Sequence, residues 1–295
     1  MPIIDSYNLP LPVLEAIKNR PYSSAGSDIS ATGLISPPRI RQLTARLGDA
    51  LEVEAVDSLY ALDGSAMHAI FEWAGKTLDP NRYVLEKRLF AEVDGWTISG
   101  QIDVIDLEEK LIQDYKKTSY WVAIFGAKDE WTQQMNIYRW LCQKNGYEIN
   151  RLEVFANFRD WNKTKAWHDR EYPQAGFKLM PIELWSIEDT YKFIRERVAV
   201  HQEAETMATK DLPLCTSEER WVKGGGWAVM VGDAKSARKV CDTKTEALKW
   251  MNDNIKDPAK LATARLEPRT GDQRRCIGYC PVRFHCIHGK GIARK

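Results

Sequence analysis

Two carboxylates and one amine stand near enough along the chain to share a surface: Asp103 in GQIDVID, and Asp114 with Lys116 in KLIQDYKK. Residues two apart on a strand face the same way, so Asp114 and Lys116 share a side while Tyr115 faces the opposite one. Asp103 lies on the preceding strand and joins them if the two strands pair as a hairpin. Such a set suits phosphodiester hydrolysis. Carboxylates hold hard cations such as Mg2+ or Mn2+, and the cation polarises phosphate and acidifies water. A neighbouring ammonium orients that water or offsets charge growing on the phosphate, which is the role given to Lys116. An ordinary salt-bridged hairpin carries the same Asp-x-Lys spacing, so the surrounding elements must decide.

The pattern from Tyr83 onward predicts strands: YVLEKRLFAEV, WTISGQIDVIDLE and KLIQDYKKT, with Asp94-Gly95 as a hairpin turn. RLEVFANFRDW is a further strand. Helical spacing marks RIRQLTARLG, SLYALDGSAMHAIFEWAG, EWTQQMNIYRWLCQKN and SIEDTYKFIRERVAVHQEAETMAT. In the second of these, Leu59, Leu62, Met67, Ile70, Phe71 and Ala74 make an imperfect apolar face, interrupted by Gly64 and Ser65. In the third, Trp131, Met135, Tyr138 and Leu141 lie along one side. The last quarter predicts a short hairpin (WAVMV, ARKV), a helix (TKTEALKWMNDNI) and a strand (LATARLEP).

Length and composition fit one large or two modest globular domains. The expected division is an N-terminal arm over 1–36, rich in Pro, Ser and Gly, a catalytic core over 37–210, and a C-terminal module over 211–295. No apolar run reaches membrane length and the start lacks an export pattern, so a cytoplasmic protein is expected. The 295 residues carry a formal charge of only +1. Between Arg265 and Lys295, however, eight Arg or Lys oppose Glu267 and Asp272, a tail that suits phosphate as well as plain solvation. Eleven tryptophans are many for this length. Trp73, Trp131, Trp140, Trp161 and Trp167 are expected mostly in the core, with one or two other rings free to stack on bases. Lys117 and Lys128 are placed to steer a phosphate backbone.

In order along the chain, Gly100-x-x-Asp103 and Asp114-Tyr115-Lys116 resemble the motif pair of the PD-(D/E)XK nuclease superfamily. Gln134-Met135-Asn136-Ile137-Tyr138 resembles the Gln-x-x-x-Tyr helix of its RecB-like and Cas4-like exonuclease branch. His68 in GSAMHAIFEW stands where that branch has an upstream metal-binding histidine, and Glu86 where an acidic residue supports the site. The resemblance runs through residues 60–160. It implies an α/β, restriction-endonuclease-like fold, with a mixed central sheet flanked by helices and a cysteine-clasped C-terminal module. It also implies that His68, Asp103, Asp114 and the Tyr115 carbonyl hold Mg2+ or Mn2+, while Gln134 and Tyr138 position other groups. By residue type alone, His68 reads first as a core histidine, Glu86 can be a partner for Lys87 or Arg88, and Gln134 with Tyr138 is equally an ordinary helix-to-sheet contact.

RRCIGYCPVRFHCIHG puts Cys276, Cys280 and Cys286 within eleven residues, close enough to converge on one centre. Cys215 is the expected fourth ligand and Cys241 the fallback; Cys142 reads as a buried helical residue. Four thiolates fit structural Zn2+ or a [4Fe-4S] cluster equally. The resemblance implies the cluster, although here three residues rather than two separate Cys276 from Cys280, and Cys215 follows the nuclease motifs. His285 and His288 are alternative zinc ligands, or part of a phosphate-facing patch with Arg274, Arg275 and Arg283.

The resulting expectation is a metal-dependent DNA exonuclease acting on single strands or free ends in recombination, repair or phage DNA processing. A separate helicase or single-strand annealing protein is the expected partner, since no Walker phosphate loop occurs. The alternatives are a structure-selective endonuclease and a non-catalytic DNA-binding component of a processing complex.

Overall fold

The computed structural model describes residues 2–20 and 25–292, and the chain divides into two compact units, 1–211 and 212–295. The first unit is mixed α/β. Besides a helix over Leu11–Lys18 and a small parallel pair of Ile3–Ile4 with Val53–Glu54, its elements are β1 (Ile29–Ser30), α1 (Ala31–Ile35), α2 (Pro38–Leu47), α3 (Leu59–Gly75), β2 (Tyr83–Val93), β3 (Trp96–Asp106) and β4 (Leu111–Thr118). There follow α4 (Trp121–Phe125), α5 (Asp129–Lys144), β5 (Arg151–Phe158), α6 (Lys163–His168), β6 (Phe177–Pro181) and α7 (Ile187–Thr206). The sheet runs β1-β3-β4-β5-β6, with β2 along the other edge of β3. It is mixed and flanked by helices, as expected: β1 with β3 and β4 with β5 are parallel, while β2 with β3, β3 with β4 and β5 with β6 are antiparallel.

The turn chemistry explains the long hairpin. Asp94 and Gly95 both take positive φ, 47° and 82°, and join Val93 to its partner Trp96. The core forms where period-two residues of β3, β4 and β5 (Ile98, Ile102, Ile112, Val154, Ala156) meet α5 through Met135, Ile137 and Leu141. Ser186 caps α7 by accepting the Asp189 backbone N–H, as the Ser and acidic spacing predicts.

Several expectations fail in instructive ways. The expected arm over 1–36 is core from Ile29 onward: β1 adds to β3, and Ile29, Ala31 and Leu34 are buried in the main cluster. Residues 21–24 of that arm lie outside the described residues. α3 runs unbroken through Gly64 and Ser65, but its apolar face is not a core face. Ile70 is exposed and Trp73 is 72 % exposed. Trp167 is 85 % exposed, whereas Trp131 and Trp140 are buried as expected.

The second unit holds a three-stranded antiparallel sheet of β7 (Gly226–Val231), β8 (Lys239–Cys241) and β9 (Ala264–Arg269), in the order β8-β7-β9. α8 (Lys244–Asn254) opens with a complete capping box between Thr243 and Glu246. The expected strand LATARLEP is split, because Asp257 caps a short helix, α9 (Pro258–Ala262), that consumes Leu261 and Ala262. Outside the sheet, Val222–Lys223 pair antiparallel with Asp272–Gln273. A π-helical turn (Arg275–Tyr279) and α10 (Ile287–Lys290) finish the described chain. No helix among the described residues is long and apolar enough to cross a membrane.

Candidate active site

Three strands and one helix converge where β3 changes partner. One edge of β3 is shared: β1 takes residues 98–99 and β4 takes 104–106, so neither strand pairs with residues 100–103. Asp103 uses this opening. Its Oδ2 accepts the Tyr115 backbone N–H at 2.7 Å, substituting a side-chain bond for the ladder bond that has ended. Asp103 is thereby held opposite Asp114.

On the other edge, β2 and β3 keep one register from 85↔104 to 87↔102, but the Glu86–Asp103 position between them makes no ladder pair. Glu86 there adopts φ +48°, a left-handed conformation costing a non-glycine residue about 1–3 kcal/mol. Its carboxylate meets α3. His68 Nδ1 lies 3.2 Å from Glu86 Oε1 and 3.5 Å from Asp103 Oδ1. One ligand atom from each of His68, Glu86 and Asp103 lies within 4.8 Å of the others. This separation suits a common ion.

Asp114 is 2 % exposed, and its Oδ2 pairs with Lys116 Nζ at 2.7 Å. A buried Asp103 that feels the Asp114 charge, with His68 and Glu86 beside it, makes a hard oxygen-and-imidazole donor set. The donor set fits a divalent ion on these grounds. The electrostatics agree. Burial holds the Asp103 carboxyl well above the ordinary range, and the Asp114 charge adds to this against the opposing His68 and Tyr115 amide. His68 is raised, first by its hydrogen bond to Glu86 and then, against its own burial, by the charges of Asp103 and Asp114.

Tyr138 lies close enough to this cluster to feel the charges of Asp114 and Asp103. Gln134 and Tyr138 are buried, and the Gln134 Nε2 donates to the Tyr138 hydroxyl at 2.6 Å. They contact one another rather than an open surface, which leaves them no access to phosphate. Burial, then the charges of Asp114 and Asp103, hold the Tyr138 phenol well above its ordinary value. Gly100 owes its identity to this helix: a Cβ there would sit 2.7 Å from Leu141 Cδ1 and 2.8 Å from Tyr138 Cε1. The Tyr115 ring packs edge-on to Phe71 at 4.7 Å, under α3. Lys117 is paired with Asp63 at 2.7 Å, and the Lys128 ammonium lies over Trp131 at 5.4 Å, so both expected steering lysines have local partners.

A residue the motifs do not contain completes the support. Gln101 Nε2 donates to Glu86 Oε2 at 2.8 Å and its Oε1 accepts from Arg88 Nη2 at 2.7 Å. Arg88 and Gln101 are direct cross-strand partners in the hairpin, so counting back from the Asp94-Gly95 turn would have found the pair.

In the second unit Cys215, Cys276, Cys280 and Cys286 are all partly buried. Burial first, then Glu219 and the Cys276 and Cys280 sulfurs, pushes the Cys215 thiol up to about 12. Cys280 is raised by burial and then by Cys276 and Cys286, and Cys276 likewise by burial and Cys286. Cys215 therefore lies near Cys276 and Cys280, and Cys286 near Cys276 and Cys280. Cys241 sits instead in β8 opposite Trp227, and Cys142 is buried in α5. The expected phosphate-facing patch is corrected in part. Arg283 is buried, donating to the Ile277 and Ile292 carbonyls. Arg275 donates to the Glu219 carbonyl. His288 is engaged by Arg220 and Gln273, whereas His285 is exposed. Arg294 and Lys295 of the basic tail lie outside the described residues.

A family model described as "Uncharacterized protein conserved in bacteria (DUF2188)" matches residues 220–276. No curated protein matches the chain. Among solved structures, SSO0001 is similar at 16 % identity, over 64 % of this chain and 83 % of that one, with a TM-score of 0.43. A phage-related exonuclease from Haemophilus somnus 129PT is similar at 19 % identity, over 65 % and 90 %, with a TM-score of 0.37. LHK-Exo, solved in complex with dAMP, is similar at 12 % identity, over 60 % and 89 %, with a TM-score of 0.33.

Proposed function

We propose that this protein is a Mg2+- or Mn2+-dependent DNA nuclease of the PD-(D/E)XK type, acting as an exonuclease on single strands or free ends. The observation that carries the reading is the convergence of His68, Glu86 and Asp103 within ligand distance, beside a buried Asp114. An ordinary salt-bridged hairpin does not draw a histidine from a separate helix into such a group.

His68, Glu86, Asp103 and Asp114 would hold the ion. Bound there, it supplies Lewis-acid polarisation of a phosphate and a lowered pKa for water. The protein's own groups do the rest. Lys116 Nζ, half-buried beside Asp114, orients the attacking water or meets charge developing on the phosphate oxygens. Gln101 and Arg88 hold Glu86 in its unusual conformation, and the Tyr115 amide holds Asp103. Gln134 and Tyr138 act from behind the sheet as positioning residues. The same hydrolysis suits recombination, repair or phage DNA processing, with a helicase or annealing protein as a separate partner. Cys215, Cys276, Cys280 and Cys286 would hold a [4Fe-4S] cluster or a Zn2+ ion that stabilises the C-terminal unit, the cluster being the reading favoured by the RecB-like and Cas4-like resemblance.

The test is anaerobic purification with iron, zinc and sulfide analysis, followed by assays with Mg2+ or Mn2+ on end-labelled linear and closed circular DNA. Degradation of linear DNA from its ends, abolished by Asp114→Ala, is expected. Full activity in clean Asp114→Ala protein would end the assignment. Cutting of closed circles with no action at ends would replace the exonuclease by a structure-selective endonuclease.

A further inference from the structure

The short helix α4 leaves β4 five residues beyond Lys116, so its first residue, Trp121, lies within about 18 Å of Lys116 along the chain. It carries apolar side chains facing outward. Phe125 is 79 % exposed and Trp121 49 %, with Ile124 exposed beside them. Isolated surface apolar residues need no explanation, but these are ordered into a column. The Tyr120 and Trp121 rings stack at 4.7 Å and 28°, and Trp121 and Phe125 at 5.6 Å and 16°. Tyr172 packs against the inner end at 4.7 Å. Phe125 is the outermost ring.

The column is firmly mounted. Val122 is buried beneath it. Asp160, just past the end of β5, accepts from the Ser119 hydroxyl and from the Tyr120 backbone N–H at 2.8 Å. Lys178 Nζ donates to the Ala123 carbonyl. Cations accompany the rings. Lys165 Nζ, on α6, lies 5.2 Å from the Tyr120 ring and 4.6 Å from the Tyr172 ring. Arg159, at the start of the same connection, lies over Tyr60 at 4.8 Å. Arg159, Lys163, Lys165 and Arg170 stand against only Asp160 and Asp169 between 159 and 170. Both connections leave the carboxyl ends of the parallel pair β4–β5, where open α/β sheets tend to build binding sites.

Exposed, rigidly held rings with an ammonium over the inner one and a basic connection alongside are the chemistry that binds single-stranded nucleic acid. Bases extend the stack regardless of identity, and the cations meet the backbone. We infer that the Tyr120–Trp121–Phe125 column is a stacking platform for the bases of a single DNA strand leading to the Lys116 site. This deepens the nuclease reading and rests on it. A protein surface seated on the same rings would not need the surrounding cations.

The full-length protein is tested in chelator, where cleavage is off, against a fluorescent dT oligonucleotide and an abasic strand of the same length. Trp121→Ala/Phe125→Ala and the milder Phe125→Ala should weaken oligo-dT binding, the double variant at least about tenfold. Abasic-strand binding and melting temperature should be unchanged, and Phe125→Trp should bind at least as well as the native protein. Unchanged oligo-dT affinity in both alanine variants would overturn the inference. So would equal weakening on the abasic strand, or a native dimer that the double variant dissolves. The two readings separate cleanly: Asp114→Ala with undiminished cleavage removes the nuclease, and ring variants with undiminished binding remove only the platform.

Discussion

At the scale of single residues, the site gathers two buried carboxylates around few cations. Burial and then the Asp114 charge raise Asp103, while Lys116 Nζ pairs with Asp114 Oδ2 at 2.7 Å. Asp114→Asn should therefore lose the gain in stability that excess Mg2+ gives the native protein. Thermal melts with and without Mg2+ read this; a native protein unmoved by Mg2+ would contradict the arrangement. Lys116→Ala should lower cleavage by about 10²–10³-fold, measured at saturating metal on folded protein. The Asp-x-Lys spacing and the Gly-x-x-Asp element were legible because they are two-residue patterns on strands. The conformation of Glu86 was not. Nothing in YVLEKRLF announces a residue at φ +48°, since its cause is the opening across β3 rather than its own neighbours.

Elements carry the next level of specificity. Helix α5 can approach β3 only because position 100 lacks a Cβ, so Gly100→Ala should cost about 1–3 kcal/mol through displacement of Leu141 and Tyr138. Urea denaturation measures it, and an unchanged midpoint would refute the close contact. Between α1 and α7, His201 is fully buried and its Nε2 bonds the Leu34 carbonyl at 3.1 Å. Burial, with the nearby Arg197 and Arg41 charges, depresses its pKa to about 4, and the Leu34 bond only partly opposes this. The folded value lies below the unfolded 6.5, so the unfolded chain takes up the proton first. Stability is complete above pH 6.5 and falls between there and pH 4, by at most about 3 kcal/mol. Denaturation at pH 7.5 and 5 should show the loss, and His201→Gln should lack that slope. The long hairpin, α5 and α7 were legible from periodicity and turn residues. β1 and α1 were not, because their Pro, Ser and Gly surroundings mask a strand of two residues whose stability comes from β3. Trp73 and Trp167 misled for the complementary reason: ring size suggests burial, yet each sits on a helix face that nothing among the described residues covers.

At the scale of the whole molecule, the chain is two units with separate means of support. The first rests on a large apolar core; the second is small, with Ala228, Val229, Met230 and Ala247 buried in it, and the proposed cysteine clasp would add to its support. Cys280→Ala should lower the bound iron and sulfide, or zinc, and make residues 212–295 readily proteolysed, while 1–211 stays resistant. Limited proteolysis with metal analysis checks it, and unchanged values would remove the clasp. The cysteine trio was legible as spacing, and the hairpin, helix and strand between Cys215 and Cys276 as patterns, but the pairing that closes the segment was not, because it joins only two residues on each side. The two ends of the segment are tied by the pairing of Val222–Lys223 with Asp272–Gln273, and Gly271 is packed so tightly on Gly225 that a Cβ would lie 2.7 Å from the Gly225 nitrogen. The intervening sheet and α8 thus hang from a two-stranded stalk. Material can be grafted or trimmed beyond such a stalk without disturbing the pairing at its base, so this portion is free to diversify while the cysteine-bearing segments on either side stay constant. A chain shortened by replacing 226–270 with a tight glycine turn should still carry whatever iron or zinc the full chain binds.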